Sequence, residues 1–501
     1  MGMPMSTTGH DQPPAWVRWG AVCLALCAGC VGVARGKPGD SEPPDSGIDS
    51  RSTDSTPDST DTDTGSGADT WQPGDTSPRG GDRSLADADL VIQGSVDQGL
   101  STYLSFGTDI DGDGEPEMIV GTVSGSGGYD TGGGGGYPLE NSVFVVPPQR
   151  LAGTVSVEDA SICEHKAGGQ AMVLPDLDGD GFPEIATGEG YPVGASIFAG
   201  VGCPDSPIAE IGCGSGDCPV VVLGAGPVLD SERSALLTWT ALDDGERRAY
   251  VVDAAATGVV DLEAESISIS DSSSTHFVGC AGLLRDLDAD GVADVLVEGG
   301  VGAAYVFHGP ILGAADLADA DAVINGIGGG QICAHALTAD DLSGDGVDDL
   351  ALGNSEAGGS LQPGLVRLFW GPLVGDRAES SADAQITGEG EYSSAGADVS
   401  AVGDVDGDGS RDLLVGAPDE DLAEANAGAG YLVSGPFLGN SSLSDAAARF
   451  TGDVHDGKAG GTVGGNDLNA DGAVDFMIGS PQGGAQSPTG GALYVFWGTP
   501  E

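Results

Sequence analysis

The chain has 501 residues, 78 acidic and 17 basic, for a formal net charge of −61. Nucleic acid and anionic lipid surfaces both require a basic face, so neither is a partner for the protein surface. Length alone predicts about three domains, though all-β folds run long as one unit; 88 glycines without a Gly-X-Y period exclude collagen, and 19% charged residues without long Glu/Lys/Leu stretches fit a helical bundle poorly.

Residues 1–30 read as a targeting segment: Arg18 is basic, and Trp19 to Ala28 is apolar. That stretch is too short to span a bilayer, so it predicts an export signal. The small residues before Cys30 resemble a bacterial lipoprotein cleavage site, with Cys30 as the lipidated residue. Cys27 stands three positions earlier, where such sites carry Leu. Plain secretion and a retained anchor remain the alternatives. No later segment is long and apolar enough to cross a membrane. Residues 31–85 are Asp, Ser, Thr, Pro and Gly with few apolar side chains, which predicts a disordered, extended linker. Beyond the signal lie Cys163, Cys203, Cys213, Cys218, Cys280 and Cys333. An even number in an exported chain predicts up to three disulfides, with Cys213 and Cys218 the favoured pair.

From 86 onward the chain repeats. An acidic loop recurs with starts at Asp109, Asp176, Asp286, Asp341, Asp404 and Asp467, spaced 67, 110, 55, 63 and 63 residues apart. The gap of 110 is close to two repeats. Three strand series settle the count. One follows each loop: Met118–Gly121, Ile185–Gly188, Val295–Val297, Leu350–Gly353, Leu413–Gly416 and Phe476–Gly479, with Ala235–Trp239 inside the long gap. A second, often ending in aromatic-Gly-Pro, runs Val143–Val146, Ser196–Ala199, Ala249–Val252, Ala304–His308, Val366–Trp370, Tyr431–Ser434 and Leu493–Trp497. A third precedes each loop unit: Leu90–Gly94, Val155–Ile162, Pro207–Ile211, Glu265–Ser270, Ala322–Gly326, Ala384–Gly388 and Ala448–Gly452. Seven units of about 59 residues, each with four short strands, predict an all-β, seven-bladed propeller over 86–501. Leu90–Gly94 has no unit before it and completes the last blade, closing the ring.

Each acidic loop offers side-chain oxygens at positions 1, 3, 5 and 9 and a carbonyl at 7, a cage for a hard cation. The candidate ligands are Asp109, Asp111, Asp113 and Glu117; Asp176, Asp178, Asp180 and Glu184; Asp286, Asp288, Asp290 and Asp294; Asp341, Ser343, Asp345 and Asp349; Asp404, Asp406, Asp408 and Asp412; and Asp467, Asn469, Asp471 and Asp475. Calcium suits a flexible oxygen shell better than magnesium, which predicts about six calcium ions. An EF-hand is rejected because its position-12 Glu is replaced by Val120, Thr187, Val297, Leu352, Val415 and Ile478. The loops at Asp341 and Asp467 are weakest, having Ser and Asn at position 3. In unit three the region reads Asp230-Ser-Glu-Arg-Ser234. There Arg233 is a candidate for the missing positive charge, beside the plainer reading of a solvated turn.

Unit six carries Ser394-Ala-Gly396, Asp404-Val-Asp-Gly-Asp-Gly-Ser-Arg-Asp412, Leu-Leu-Val-Gly-Ala-Pro418 and Gly430-Tyr-Leu-Val433. This resembles the FG-GAP repeat of the integrin α-subunit propeller and of bacterial surface proteins that share it. Phe106-Gly107 is the literal Phe-Gly of unit one, and Gly479-Ser-Pro481 repeats the GAP element in unit seven. Unit three departs from the pattern. The resemblance implies calcium in the hairpin between the first two strands of each bearing blade, with those hairpins on one face. It also implies ligand-binding loops on the other face: Thr122–Ser142 with Tyr129, Asp130 and Tyr137, then Glu189–Gly194, Asn354–Gly364, Ala417–Gly430 and Pro481–Gly491.

No P-loop, His-Glu-x-x-His or Gly-x-Ser-x-Gly occurs, and the histidines outside the signal (His165, His276, His308, His335 and His455) read as repeat-position variants. The expectation is a non-enzymatic, calcium-stabilised binding or adhesion module, exported as a surface or outer-membrane lipoprotein. Its partner would be an unidentified protein or glycan, with membrane contact only through the anchor. The alternatives are a scaffold subunit of a surface complex and a propeller hydrolase.

Overall fold

The computed structural model describes residues 82–498 apart from 123–141 and shorter internal stretches, chiefly 96–99, 166–169, 177–179, 189–193, 201–203, 214–219, 242–246, 274–277, 327–336 and 484–489. The export signal, Cys30 and residues 31–81 of the linker lie outside the described residues.

Seven sheets form the seven blades of a β-propeller. Each blade has four antiparallel strands adjacent in space, which follow one another in chain order in blades 1 to 6, while blade 7 takes its fourth from the start of the repeat region. The three strand series appear as read, with one correction. Val155–Ile162 is not a strand: Gly153–Ser156 is extended, Val157–Ala160 is one helical turn, and the outer strand is Cys163–His165. The Ser156 hydroxyl accepts the Asp159 amide at 3.2 Å, and this cap breaks the strand.

The first strand of each blade leads into the acidic loop, or in blade 3 into the hairpin that replaces it, and none belonged to the three strand series read from the sequence. These strands are Leu100–Thr108, Gln170–Val173, Val220–Gly226, Val278–Leu283, Leu337–Asp340, Val399–Gly403 and Thr462–Asn466. Neighbouring first strands touch one another around the ring. Crowding there favours small side chains, as in Thr462-Val-Gly-Gly-Asn466.

The ring closes as expected. Leu90–Gln93 pairs antiparallel with Ala492–Phe496 as the fourth strand of blade 7, with Leu90 and Ile92 fully buried. The core is distributed. Seven hydrophobic clusters each fill the seam between two neighbouring blades, so every blade is stabilised by both its neighbours.

A feature absent from the sequence reading covers the outer edges. In six blades a fifth, parallel strand is donated by the next repeat: Arg83–Ser84 on blade 6, Gly153–Ser156 on blade 7, Gly258–Asp261 on blade 2, Ala315–Asp316 on blade 3, Gly375–Ala378 on blade 4 and Asn440–Ser442 on blade 5. Each runs into a single turn, and five of the six turns are capped by a side chain. The turn's first residue is buried in Leu85, Val157, Leu262, Leu317 and Leu443, and caps come from Ser84, Ser156, Asp261, Asp316 and Ser442. Edge strands with free amides invite foreign pairing, and these latches occupy them. The outer strand of blade 1 instead carries the disulfide-bonded Cys163. Cys213 is also disulfide-bonded, while Cys203, Cys218, Cys333 and the side chain of Cys280 lie outside the described residues.

Asp398 ties the seam between blades 6 and 7. Its carboxylate accepts the Val399 amide at 2.9 Å and the Val463 amide of the next blade at 2.8 Å. Burial pushes its pKa up to about 7, against the backbone hydrogen bonds that favour the charge. The folded value lies above the unfolded one. Its stabilising contribution is therefore complete below about pH 4 and lost as pH rises toward 7, a swing of roughly 4 kcal/mol. Between pH 5 and 8 the Tm of the native chain should fall relative to that of Asp398→Asn, which cannot ionise. A Tm difference independent of pH would refute this role.

Candidate metal centres

The six acidic loops join the first and second strands at one end of the blades. In loop 1 the amides of Gly112 and Gly114 donate to the two oxygens of Asp109 at 2.6 and 2.9 Å. The Asp113 amide donates to Asp111 at 3.1 Å, and the Glu115 amide to Asp113 at 2.9 Å. Loop 6 repeats this: Gly409 donates to Asp404, Asp408 to Asp406, and Ser410 to Asp408. Such turns curl the chain around its own carboxylates. Position 6 is always a glycine with φ between 89° and 97°, as at Gly114 and Gly181. Position 4 is also left-handed in the five loops where it is described, even where it is Ala289 or Ala470.

Position 9 differs from the rest. Glu117, Glu184, Asp294, Asp349, Asp412 and Asp475 are at most 1% exposed. In blades 4, 6 and 7 one carboxylate oxygen takes the amide of loop position 2 (Leu287, Val405, Leu468). The other oxygen takes the amide of the glycine just beyond the third strand (Gly309, Gly435, Gly498). In blade 5 Asp349 receives Ser343 and Gly371 instead. One side chain thus clamps the loop to two strands. Burial raises the pKa of Glu117, Asp294 and Asp475 to about 7 and of Asp412 to about 6, with neighbouring loop aspartates adding to the rise.

Four loops bring three carboxylates within 4.8 Å of one another: Asp109, Asp111 and Glu117; Asp176, Asp180 and Glu184; Asp286, Asp288 and Asp290; and Asp404, Asp406 and Asp412. Asp178 lies outside the described residues. The loops at Asp341 and Asp467 have Ser343 and Asn469 at position 3 and keep Asp at positions 1, 5 and 9, but do not bring three carboxylates this close together. The donor set is all oxygen, the chemistry of a hard cation. Loop 1 adds a sharper sign. Glu117 Oε2 accepts the Ile110 amide at 2.7 Å, whereas its buried Oε1 has no hydrogen-bond partner. A buried carboxylate oxygen without a donor is costly, and a cation at the cage centre would satisfy it. These groups can therefore hold metal ions.

In blade 3 the hairpin without an acidic loop holds its own cation. Arg233 Nε lies 2.6 Å from Asp230 Oδ2, and the Arg233 amide donates to Asp230 Oδ1 at 2.8 Å. In blade 4 His308 Nδ1 lies 3.3 Å from Asp288 Oδ2. His165 stacks on Phe198 at 4.4 Å. His276 and His335 lie outside the described residues.

The family model of the FG-GAP repeat matches residues 395–433. That span covers most of blade 6, including its acidic loop. A search of the curated proteins finds no match. Blade 6 is thus an FG-GAP repeat within a seven-bladed propeller, and its glycines have a visible purpose. Gly396 (φ 78°) donates its amide to the Gly416 carbonyl at 2.9 Å, and in blade 7 Gly460 (φ 81°) does the same to Gly479. Across each seam the preceding blade presses a glycine against this corner. A Cβ on Gly353 would lie 2.3 Å from Gly396 O, and one on Gly416 would lie 2.0 Å from Gly460 O. The blades approach backbone to backbone, and no side chain fits.

Gly416→Ala should therefore destabilise the chain more than Gly375→Ala. Gly375 has φ 70° but open space around it, so it incurs only the conformational strain of roughly 1–2 kcal/mol. Denaturant midpoints of the two variants test this, and equal losses would refute the steric account.

Proposed function

We propose that the chain is an exported, calcium-stabilised binding or adhesion module anchored through Cys30, with no catalytic role of its own. Carboxylate-rich, flexible loops fit calcium, at about one ion for each of six loops. Gathering three or four carboxylates within a few ångströms is unfavourable without a cation, so the ion contributes to folding. Arg233 serves in blade 3, where the loop acids are missing. FG-GAP repeats occur in extracellular and surface proteins, in keeping with the export signal.

The observation that carries the binding role lies at the other end of the blades, where antiparallel pairing places the turns between second and third strands. There Leu361, Tyr392 and Leu422 are exposed by 47, 55 and 44%. Their loops are braced to one another. The Tyr392 amide donates to Leu361 O at 2.7 Å, Ser394 Oγ to Asp419 at 2.5 Å, and the Asp419 amide to Ser393 O at 3.2 Å. Lys458 also pairs with Asp419, and Asn426 donates to Asp456 at 2.7 Å. Exposed aromatic and aliphatic side chains on loops held by a rigid scaffold are suited to recognition. The longest of the loops expected to bind, with Tyr129, Asp130 and Tyr137, lies outside the described residues.

One observation favours a scaffold subunit as the second reading. Leu312, Val374 and Leu438 follow the third strands of adjacent blades and are exposed by 66, 63 and 90%. This apolar row lies at the acidic-loop end.

Chelation tests the metal. Excess EDTA should lower Tm sharply, calcium should restore it, and elemental analysis should find about six calcium ions per chain. An unchanged Tm with no bound calcium overturns that part. Binding of the full chain to cells and to glycan and protein arrays tests the partner. Leu361→Ser with Tyr392→Ala should abolish capture without changing Tm. Loss of binding only in Leu312→Ser with Leu438→Ser would favour the scaffold, and no capture in any calcium-loaded sample would count against both.

A further inference from the structure

The cage of blade 1 contains a feature that its position in a calcium series does not require. Arg150 Nη1 and Nη2 lie 3.2 and 3.3 Å from Asp111 Oδ2, and Nη2 also pairs with Asp113 Oδ2. The guanidinium therefore bridges the side chains of loop positions 3 and 5, two candidate ligands of one ion. In blade 6 the equivalent Asp406 and Asp408 meet backbone amides, and no basic side chain among the described residues is paired with them. Blade 3 shows the same device at its limit. There Arg233 sits against Asp230, the acid at the start of that hairpin.

Arg150 is also placed where the ring closes. It ends the single turn Pro148–Arg150, which runs directly into Gly153–Ser156. That strand pairs with Leu90–Gln93, the closing strand of blade 7. Leu151 and Val155 pack on the cluster that contains Leu90 and Ile92. The pairing of Arg150 with loop 1 thus connects a cation cage to the closing seam.

We propose that Arg150 is a tethered competitor for the cation of blade 1, making that site weaker and later-filled than the four-carboxylate cage of blade 6. This rests on the calcium reading above. A guanidinium bridging two carboxylates lowers the charge available to an incoming ion by one unit and occupies oxygens the ion needs. Glu117 Oε1 remains buried and without a hydrogen-bond partner beside it, so the cage retains a demand for cation that Arg150 does not meet. Filling loop 1 displaces the guanidinium and frees the turn that leads into the latch. Calcium concentration is thereby coupled to the seam between blades 7 and 1, where Leu90–Gln93 closes the ring.

The test is calcium titration of the full chain by calorimetry, with amide hydrogen exchange at 153–156 as the second readout. The native chain should bind about six ions, with the site removed by Asp111→Asn at least tenfold weaker than the site removed by Asp404→Asn. Arg150→Gln keeps the length and hydrogen-bonding capacity but removes the charge. It should bring the weak site to the affinity of the blade 6 site, leave the total unchanged and make exchange at 153–156 independent of calcium between the two affinity ranges. Six equivalent sites in the native chain would overturn the proposal and leave the calcium reading intact. So would an Arg150→Gln variant whose weak site persists or weakens further. Absence of bound calcium would overturn both. Arg150 is partly exposed, so the variant should fold; a circular dichroism spectrum matching the native one verifies this.

Discussion

Every blade of this propeller has an outer edge, and an uncovered edge is an open template for pairing. Four strands of three to nine residues bury too little to stand alone, so each blade relies on a neighbour on either side and, in six of the seven, on a cover along its rim. The repeat supplies all three. Inner strands press together around the axis, apolar seams fill the gaps between blades, and a short polar strand from the next repeat lies along the outer edge. Latch and fourth strand both belong to the repeat segment that follows the third strand, and for blades 6 and 7 that segment lies ahead of blade 1 in the sequence. Leu90–Gln93 in blade 7 and Arg83–Ser84 on blade 6 are the two consequences of that single offset.

The same geometry explains where acid is tolerated. The position-9 carboxylate is buried at the meeting of three segments, and its oxygens accept amides that no strand partner reaches. It would be expensive as an isolated charge, which is why its pKa rises. It is retained because removing it would orphan two backbone donors. Positions 1, 3 and 5 lie closer to solvent; position 1 holds the loop through both oxygens and positions 3 and 5 through one, and each keeps lone pairs free for a cation. The net charge of −61 is thus partly a construction requirement of the hairpins. The two arginines found against such acids, Arg233 and Arg150, mark where the chain supplies its own counter-charge.

Legibility in the sequence followed side-chain chemistry. The acidic loops and the second and third strands were readable, because a loop of alternating Asp and Gly and a run such as Met118-Ile-Val120 each have one physical explanation. Ring closure was readable from phase alone. The inner strands were not, because axial crowding selects Gly and Ala, which carry no periodic apolar signal. The latches were missed although their pattern repeats: Ser84-Leu85-Ala-Asp-Ala88, Asp316-Leu317-Ala-Asp-Ala320 and Ser442-Leu443-Ser-Asp-Ala446. One buried leucine after a capping residue is too little apolar content to stand out. Reading Val155–Ile162 as a single strand was the direct result, since the latch, its turn and the outer strand were merged.

The two ends of the molecule consequently carry different chemistry for a reason rooted in strand direction. At one end the hairpins are short, glycine-bent and committed to holding charge, so they have little freedom to vary in shape. At the other end the connections carry no such obligation. They need only return the chain to the axis, and glycine corners such as Gly396 and Gly460 fix them to the blade beneath. Length and side chains can change there without disturbing a seam. An exposed Tyr392 on that end therefore rests on a support whose rigidity is set elsewhere, by the acid clamps and glycine contacts of blades 5 to 7. That separation allows one face to be tuned for recognition while the other is held by electrostatics.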